Sequence, residues 1–171
     1  MSDSLLLRLA GVCALLGGLL RITSPFFGAL LPDQALHLTW LGTDVLLLFG
    51  SPGLWAATRE KTGAWGLVGT VLALIGLVLV RSSGERIFGP DSYGVGAAVW
   101  GLGAAIFGAA LLASRAGYRT AAILWLAAVV LGLAGKRLDL WLDGFGWGGL
   151  VFAAGQIAAG IELARRRAVA P

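Results

Sequence analysis

The chain has 171 residues, 58% hydrophobic and 13% charged, with a mean hydropathy of +0.86. A soluble domain of this length could not cover that much apolar surface with so few charged side chains, so composition predicts one integral membrane domain spanning residues 1–171. The net charge of +4 does not indicate nucleic-acid binding, because the basic residues are scattered between apolar runs and form no dense face.

Six apolar runs approach the roughly 20 helical residues that a hydrocarbon core requires. They cover about 5–22, 35–57, 63–80, 93–113, 118–136 and 145–163, which predicts an all-α, polytopic six-transmembrane-helix bundle. The first run contains Cys13, the sole cysteine, so an intrachain disulfide is excluded. Neither a lipoprotein site at LAGVC nor a cleaved signal peptide fits, since MSDSLLLR is barely basic and no A-x-A-like site follows. An uncleaved first helix is the expectation. Arg21 closes this run before the break RITSPFFGALLPD.

The second run contains an unusual ladder. Asp33, His37 and Asp44 fall at i, i+4 and i+11, one face of a helix. Asp33 follows Pro32 and suits a helix cap or first turn, where a negative charge complements the helix dipole. His37 lies one turn further in, and with no second histidine it completes no common transition-metal set. No metal and no cofactor are expected. Asp44 lies about 13 Å into the run at 1.5 Å per residue, close to the bilayer centre. An ionisable group at that depth costs at least about 2.5 kcal/mol and marks a functional-site candidate. Thr43, Thr70 on the third run and Gln156 on the sixth are the polar groups expected to join it. Pro52 removes a helical hydrogen bond and predicts a kink two turns past Asp44. The break TREKTG then separates the second and third runs.

Further along, RSSGERIFGPDSYG supplies Arg81, Glu85, Arg86 and Asp91, and KRLDLWLDGFG supplies Arg137, Asp139 and Asp143. With Arg21, Asp33 and His37 these residues form a candidate cluster at the outer mouth. Its mix of bases, aromatics and acids fits interfacial anchoring, or a site for a lipid headgroup or anion. The fourth run pairs small residues at Ala97/Gly101, Ala104/Gly108 and Ala105/Ala109, a spacing that lets helices approach closely or a second copy or membrane partner dock. WLGTDVLLLFG (40–50) aligns with WLAAVVLGLAG (125–135). If that match reflects duplication, two inverted three-helix halves follow, an arrangement common in transporters.

With six spans both termini share one side. That side has Arg8, Arg59, Lys61, Arg115, Arg119, Arg165, Arg166 and Arg167, against Arg21, Arg81, Arg86, Lys136 and Arg137 on the other. The positive-inside rule then puts both termini in the cytoplasm. Arginine outnumbering lysine, with abundant Ala and Gly, hints at a GC-rich bacterial genome and a bacterial inner (cytoplasmic) membrane.

Catalytic motifs are lacking. DLWLDG (139–144) departs in spacing from the paired-aspartate signature of membrane CDP-alcohol phosphotransferases, and GLAGKR (132–137) lacks the first Gly and the Ser/Thr of a P-loop. The leading expectation is a small non-enzymatic membrane protein that transports or binds a small solute, ion or proton around Asp44. Two rivals stay open: a membrane enzyme or lipid-binding protein using the charged outer mouth, and an accessory subunit of a larger membrane complex. The lipid bilayer is the one partner common to all three.

Overall fold

The structure, a computed structural model, describes residues 3–27, 30–138, 141–142 and 145–165, without the side chains of 3, 84–85, 136–138, 141–142 and 145. Among the described residues there are five α-helices: α1 (Asp3–Phe27), α2 (Asp33–Arg81), α3 (Ser92–Ala113), α4 (Arg119–Leu138) and α5 (Trp147–Arg165). Short 3-10 turns at Ser82–Glu85 and Gly89–Asp91 link α2 to α3. A two-residue antiparallel ladder, β1 (Trp141–Leu142) with β2 (Phe145–Gly146), precedes α5. By length and composition, α1, α2, α5 and a stretch comprising α3 with the turn before it are apolar enough to cross a membrane. The apolar part of α4, Arg119–Gly135, is shorter.

The expected second and third runs are thus parts of a single element. Their boundary is not the TREKTG loop but one residue, Gly63, with φ 55° and ψ −143° inside otherwise helical backbone. Those dihedrals are close to the first central position of a type II′ turn, which only glycine occupies without strain. As a straight rod, α2 would separate Asp44 and Arg81 by about 55 Å. Instead Arg81 Nε lies 3.9 Å from Asp44 Oδ2. A Cβ on Gly66 would also lie 3.5 Å from the Trp55 ring. The helix therefore doubles back at Gly63 into two antiparallel arms, 33–62 and 64–81. The dihedrals at Pro52 stay helical, and the non-helical residue Gly63 lies eleven residues further on.

Glycines set the remaining packing, because each lets a neighbouring backbone approach to a distance that a side chain would forbid. A Cβ on Gly50 would lie 2.8 Å from Ala14, and one on Gly53 would overlap Ala10, which runs α1 antiparallel to the first arm. On the other flank of α1, Gly11 faces Ala164 at 2.6 Å, and Gly18 faces Ala153 and Ile157 at 2.8 Å. The second arm meets α3 through Gly69 against Phe107, Gly76 against Trp100, and Gly96 against Val80. Gly108 approaches Ala122 of α4, and Gly148 and Gly155 approach Ala128 and Trp125. Neighbours in space follow the chain: α1, first arm, second arm, α3, α4, α5, then α1 again. The ring's two ends are distinct. One holds the Gly63 reversal, the α3–α4 turn and the end of α5, and the other holds Arg81 and the α2–α3 connection.

The expected small-residue pairs are used in part. Ala104 and Gly108 are buried, whereas Gly101 has only Val129 near it, and the tightest seam on α3 is Gly96 with Gly103. The aligned tryptophans of the proposed duplication differ in surroundings. Trp40 is 36% exposed, while Trp125 is 2% exposed in the core.

Two measurements check the reversal. In an Asp44→Cys/Arg81→Cys pair on a Cys13→Ala background, a short bis-maleimide should give an intramolecular crosslink detectable by intact mass, which a straight α2 would not allow. Gly63→Ala should lower stability by about 1–3 kcal/mol, the cost of forcing a side chain into that region. Gly42→Ala, at a helical position with open space around it, should be neutral or slightly stabilising in the same unfolding experiment.

Candidate functional site

The site is built by the register of the α2 hairpin. Asp44 precedes the pivot by nearly as many residues as Arg81 follows it, so the two side chains reach one level although far apart in sequence. The Asp44 side chain is 14% exposed and the Arg81 side chain 42% exposed, which makes this a partly wet pair at the rim of the ring. Arg21 is the second cation whose charge acts on Asp44. The α1 register explains its position: Gly17 packs on Leu46 and Leu47, so the next turn of α1 lies level with Asp44. Arg21 also stands over the Trp100 ring, with Cζ 5.7 Å from the centroid. Since α1 and α3 are not neighbours in the ring, Arg21 reaches across its mouth. A cation over indole contributes about 0.5–2 kcal/mol, depending on desolvation.

Beneath these charges the interior is aromatic. Trp100 meets Phe152 edge-on with centroids 4.4 Å apart. Phe152 stacks on Trp125 at 6.2 Å, and Trp125 on Phe107 at 5.8 Å. This column, with Leu54, Leu111 and Leu163 towards the Gly63 end, fills the middle of the bundle. The indole N–H of Trp125 is buried without a hydrogen-bond partner among the described residues, and it fits only because Gly155 opposite has no Cβ. Near the other end, the Glu162 carboxylate accepts a hydrogen bond at 2.9 Å from the Tyr118 backbone N–H, which fixes the left-handed Tyr118 (φ 57°) at the start of α4.

The expected polar companions of Asp44 separate. Thr43 donates its hydroxyl to the Thr39 carbonyl at 2.9 Å, and Thr70 donates to Gly66 at 2.8 Å, so both turn to their own helix. Thr70 is seven residues past the pivot, which puts it about 18 Å nearer the reversal than Asp44 at 1.5 Å per residue. Gln156 is buried on α5 beside Ile157, the residue that packs on Gly18. It shares the deeper part of this layer, but no hydrogen bond joins it to Asp44 among the described residues. At 1.5 Å per residue, Asp33 and His37 lie about 16 and 10 Å beyond Asp44 along the first arm, and both are exposed. The His37 ring sits 5.5 Å from that of Trp40.

The outer-mouth cluster is likewise divided. Arg21 and Arg81 join Asp44, whereas Arg86 and Asp91 lie exposed in the α2–α3 connection. Arg86 adopts a left-handed conformation (φ 50°), and the Asp91 carboxylate lies over Gly94 in the first turn of α3. The side chains of Glu85 and Arg137, and residues Asp139 and Asp143, lie outside the described part. Among the described residues, no three His, Cys, Asp or Glu side chains gather as a metal site would need. Sequence reasoning missed the Asp44–Arg81 contact. Counting outward from Gly63 in both directions would have found it. The arrangement offers two guanidinium groups and one carboxylate, a net positive rim above an apolar floor. No family model, curated protein or solved structure matches this chain.

Proposed function

We propose that this chain is a small, non-enzymatic, multi-pass membrane protein that binds a small anion at the Arg21–Asp44–Arg81 rim. Each arm of α2 counts as one crossing, giving six in all with the shorter α4 included. The second arm is about 27 Å long at 1.5 Å per residue, close to the roughly 30 Å of a hydrocarbon core. With Gly63 at one interface, Asp44 then sits near the opposite boundary and not at the midplane. A partly exposed carboxylate paired with arginine is far cheaper there than a lone one in hydrocarbon.

The observation that carries the binding reading is the fold-back that sets Arg81 against Asp44 while Arg21 covers Trp100. Two positive charges and one negative leave an excess suited to a carboxylate or phosphate, which guanidinium groups recognise bidentately. The aromatic column under the rim favours binding at the mouth over passage through the ring. Charge distribution supports a cytoplasmic Gly63 end and cytoplasmic termini. Among described side chains, Arg8, Arg59, Lys61, Arg115, Arg119 and Arg165 lie there, against Glu60 and Glu162. A bacterial cytoplasmic membrane fits the arginine-rich composition.

Labelling with an impermeant thiol reagent in whole cells, on a Cys13→Ala background, checks the orientation. Ser83→Cys should react, and Ser114→Cys should react only after permeabilisation; the reverse pattern inverts the protein.

Thermal unfolding of the detergent-purified protein with inorganic phosphate or succinate, at constant ionic strength, checks the site. The wild type should be stabilised relative to chloride, and Arg21→Gln or Arg81→Gln should abolish the effect. Asp44→Asn should strengthen anion binding about fivefold or more, because a unit negative charge beside the ligand is removed. Stabilisation by cations instead, lost in Asp44→Asn, would overturn the anion reading.

A further inference from the structure

At the Gly63 end, on the outer surface of the ring, the second arm and α3 diverge into a groove of about 550 Å³. Its long wall is one face of α3: Ile106, Ala109, Ala110 and Ala113 recur at i, i+3, i+4 and i+7. The seven helical rises from Ile106 to Ala113 extend the groove about 10 Å along the bundle from the charged end. Trp65, 69% exposed, forms the opposite wall two residues past the pivot. Lys61 and Ser114 stand at the mouth. Three of the wall side chains are alanine, so the depression comes from small residues beside a large indole.

We propose that this groove holds an anionic phospholipid, its phosphate at Lys61 and Ser114 and one acyl chain along the alanine face of α3. Three observations carry the assignment. The groove changes from cationic to apolar along its length, as an amphiphile does. Its apolar wall faces away from the ring and leads on to Leu102, exposed one turn further along α3. Indole at a headgroup boundary is half apolar and half wet, the property that enriches Trp at membrane interfaces.

Charge decides which lipid. The end of α3 presents about half a negative charge through its last carbonyls. Lys61 and Arg115, which directly follows Ser114, supply two whole positive charges at the same end, and with Arg59 and Arg119 nearby the bases there outnumber Glu60 and Glu162. The balance favours an anion over a zwitterion, and basic pockets between helices on a cytoplasmic face suit acidic headgroups. The inference rests on the membrane reading and is independent of the anion rim at the other end of the bundle.

The test is native mass spectrometry of the full chain, released from detergent in the presence of phosphatidylglycerol or phosphatidylcholine. The wild type should retain one phosphatidylglycerol in preference to phosphatidylcholine. Lys61→Gln, an exposed position, should reduce that preference about fivefold, in line with the contribution of one basic residue near an anionic headgroup. Ala110→Phe should fill the groove and lower retention of both lipids, and an unchanged circular dichroism spectrum would confirm that the variant is folded. Equal retention of the two lipids, or retention unaffected by either substitution, would overturn the proposal. A dimer lost in Ala110→Phe would assign the groove to a second copy and overturn it as well. Failure to retain any lipid, with the protein folded without detergent, would instead count against the membrane reading itself.

Discussion

The reversal at Gly63 is the constraint from which the rest follows. A single residue with φ 55° and ψ −143° turns one long helix into two arms packed side by side. It fixes which residues of the arms stand level, and so sets Arg81 against Asp44. A loop of several residues could settle into more than one register. A one-residue turn leaves little freedom, because a shift of even one position would move the special dihedrals onto Thr62 or Ala64, where a side chain resists them.

Close packing then carries that register around the ring. Helices gain little from water exclusion when their surroundings are as apolar as they are, so they associate by contact between atoms. Gly50 and Gly53 against α1, Gly69 and Gly76 against α3, and Gly11 and Gly18 against α5 place backbones within van der Waals range. Aromatic rings from α3, α4 and α5 occupy the centre that these contacts enclose. Charged side chains are confined to the two ends, with Arg21, Arg81 and Asp44 at one and Lys61 with the Glu162–Tyr118 bond at the other.

Much of this architecture is legible in the residues. The helical class and the approximate limits of α1, α3, α4 and α5 follow from hydropathy and from punctuation by charge, Gly and Pro. Asp44 stands out for its chemistry alone. Its surroundings were less accessible, for physical reasons. TREKTG has the composition of a loop, but three of its charged side chains project from intact helix, and only its last residue breaks the backbone. Depth counted from the start of the second run puts Asp44 near mid-membrane, whereas the hairpin register places it level with the end of the second arm. Threonine hydroxyls look like available ligands in a sequence, yet in a helix they bond the carbonyl one turn back, as Thr43 and Thr70 do. Trp100 and Trp125 carry no periodic signal that separates a core tryptophan from an interfacial one.

The order of the ring has a consequence for how the protein is made. Every seam joins consecutive segments of the chain except the last, where α5 closes on α1 through Gly11, Gly18 and Gly160. At ordinary rates of synthesis, about 5–20 residues per second, α5 emerges roughly 6–24 seconds after α1. During that interval the glycine face of α1 has no partner from its own chain, while the seams between earlier neighbours can already form. The bundle is then an open arc whose two edges are α1 and the newest helix. Gly11 and Gly18, the α1 glycines that face α5, thus wait for their packing partner until the last helix of the chain has been made.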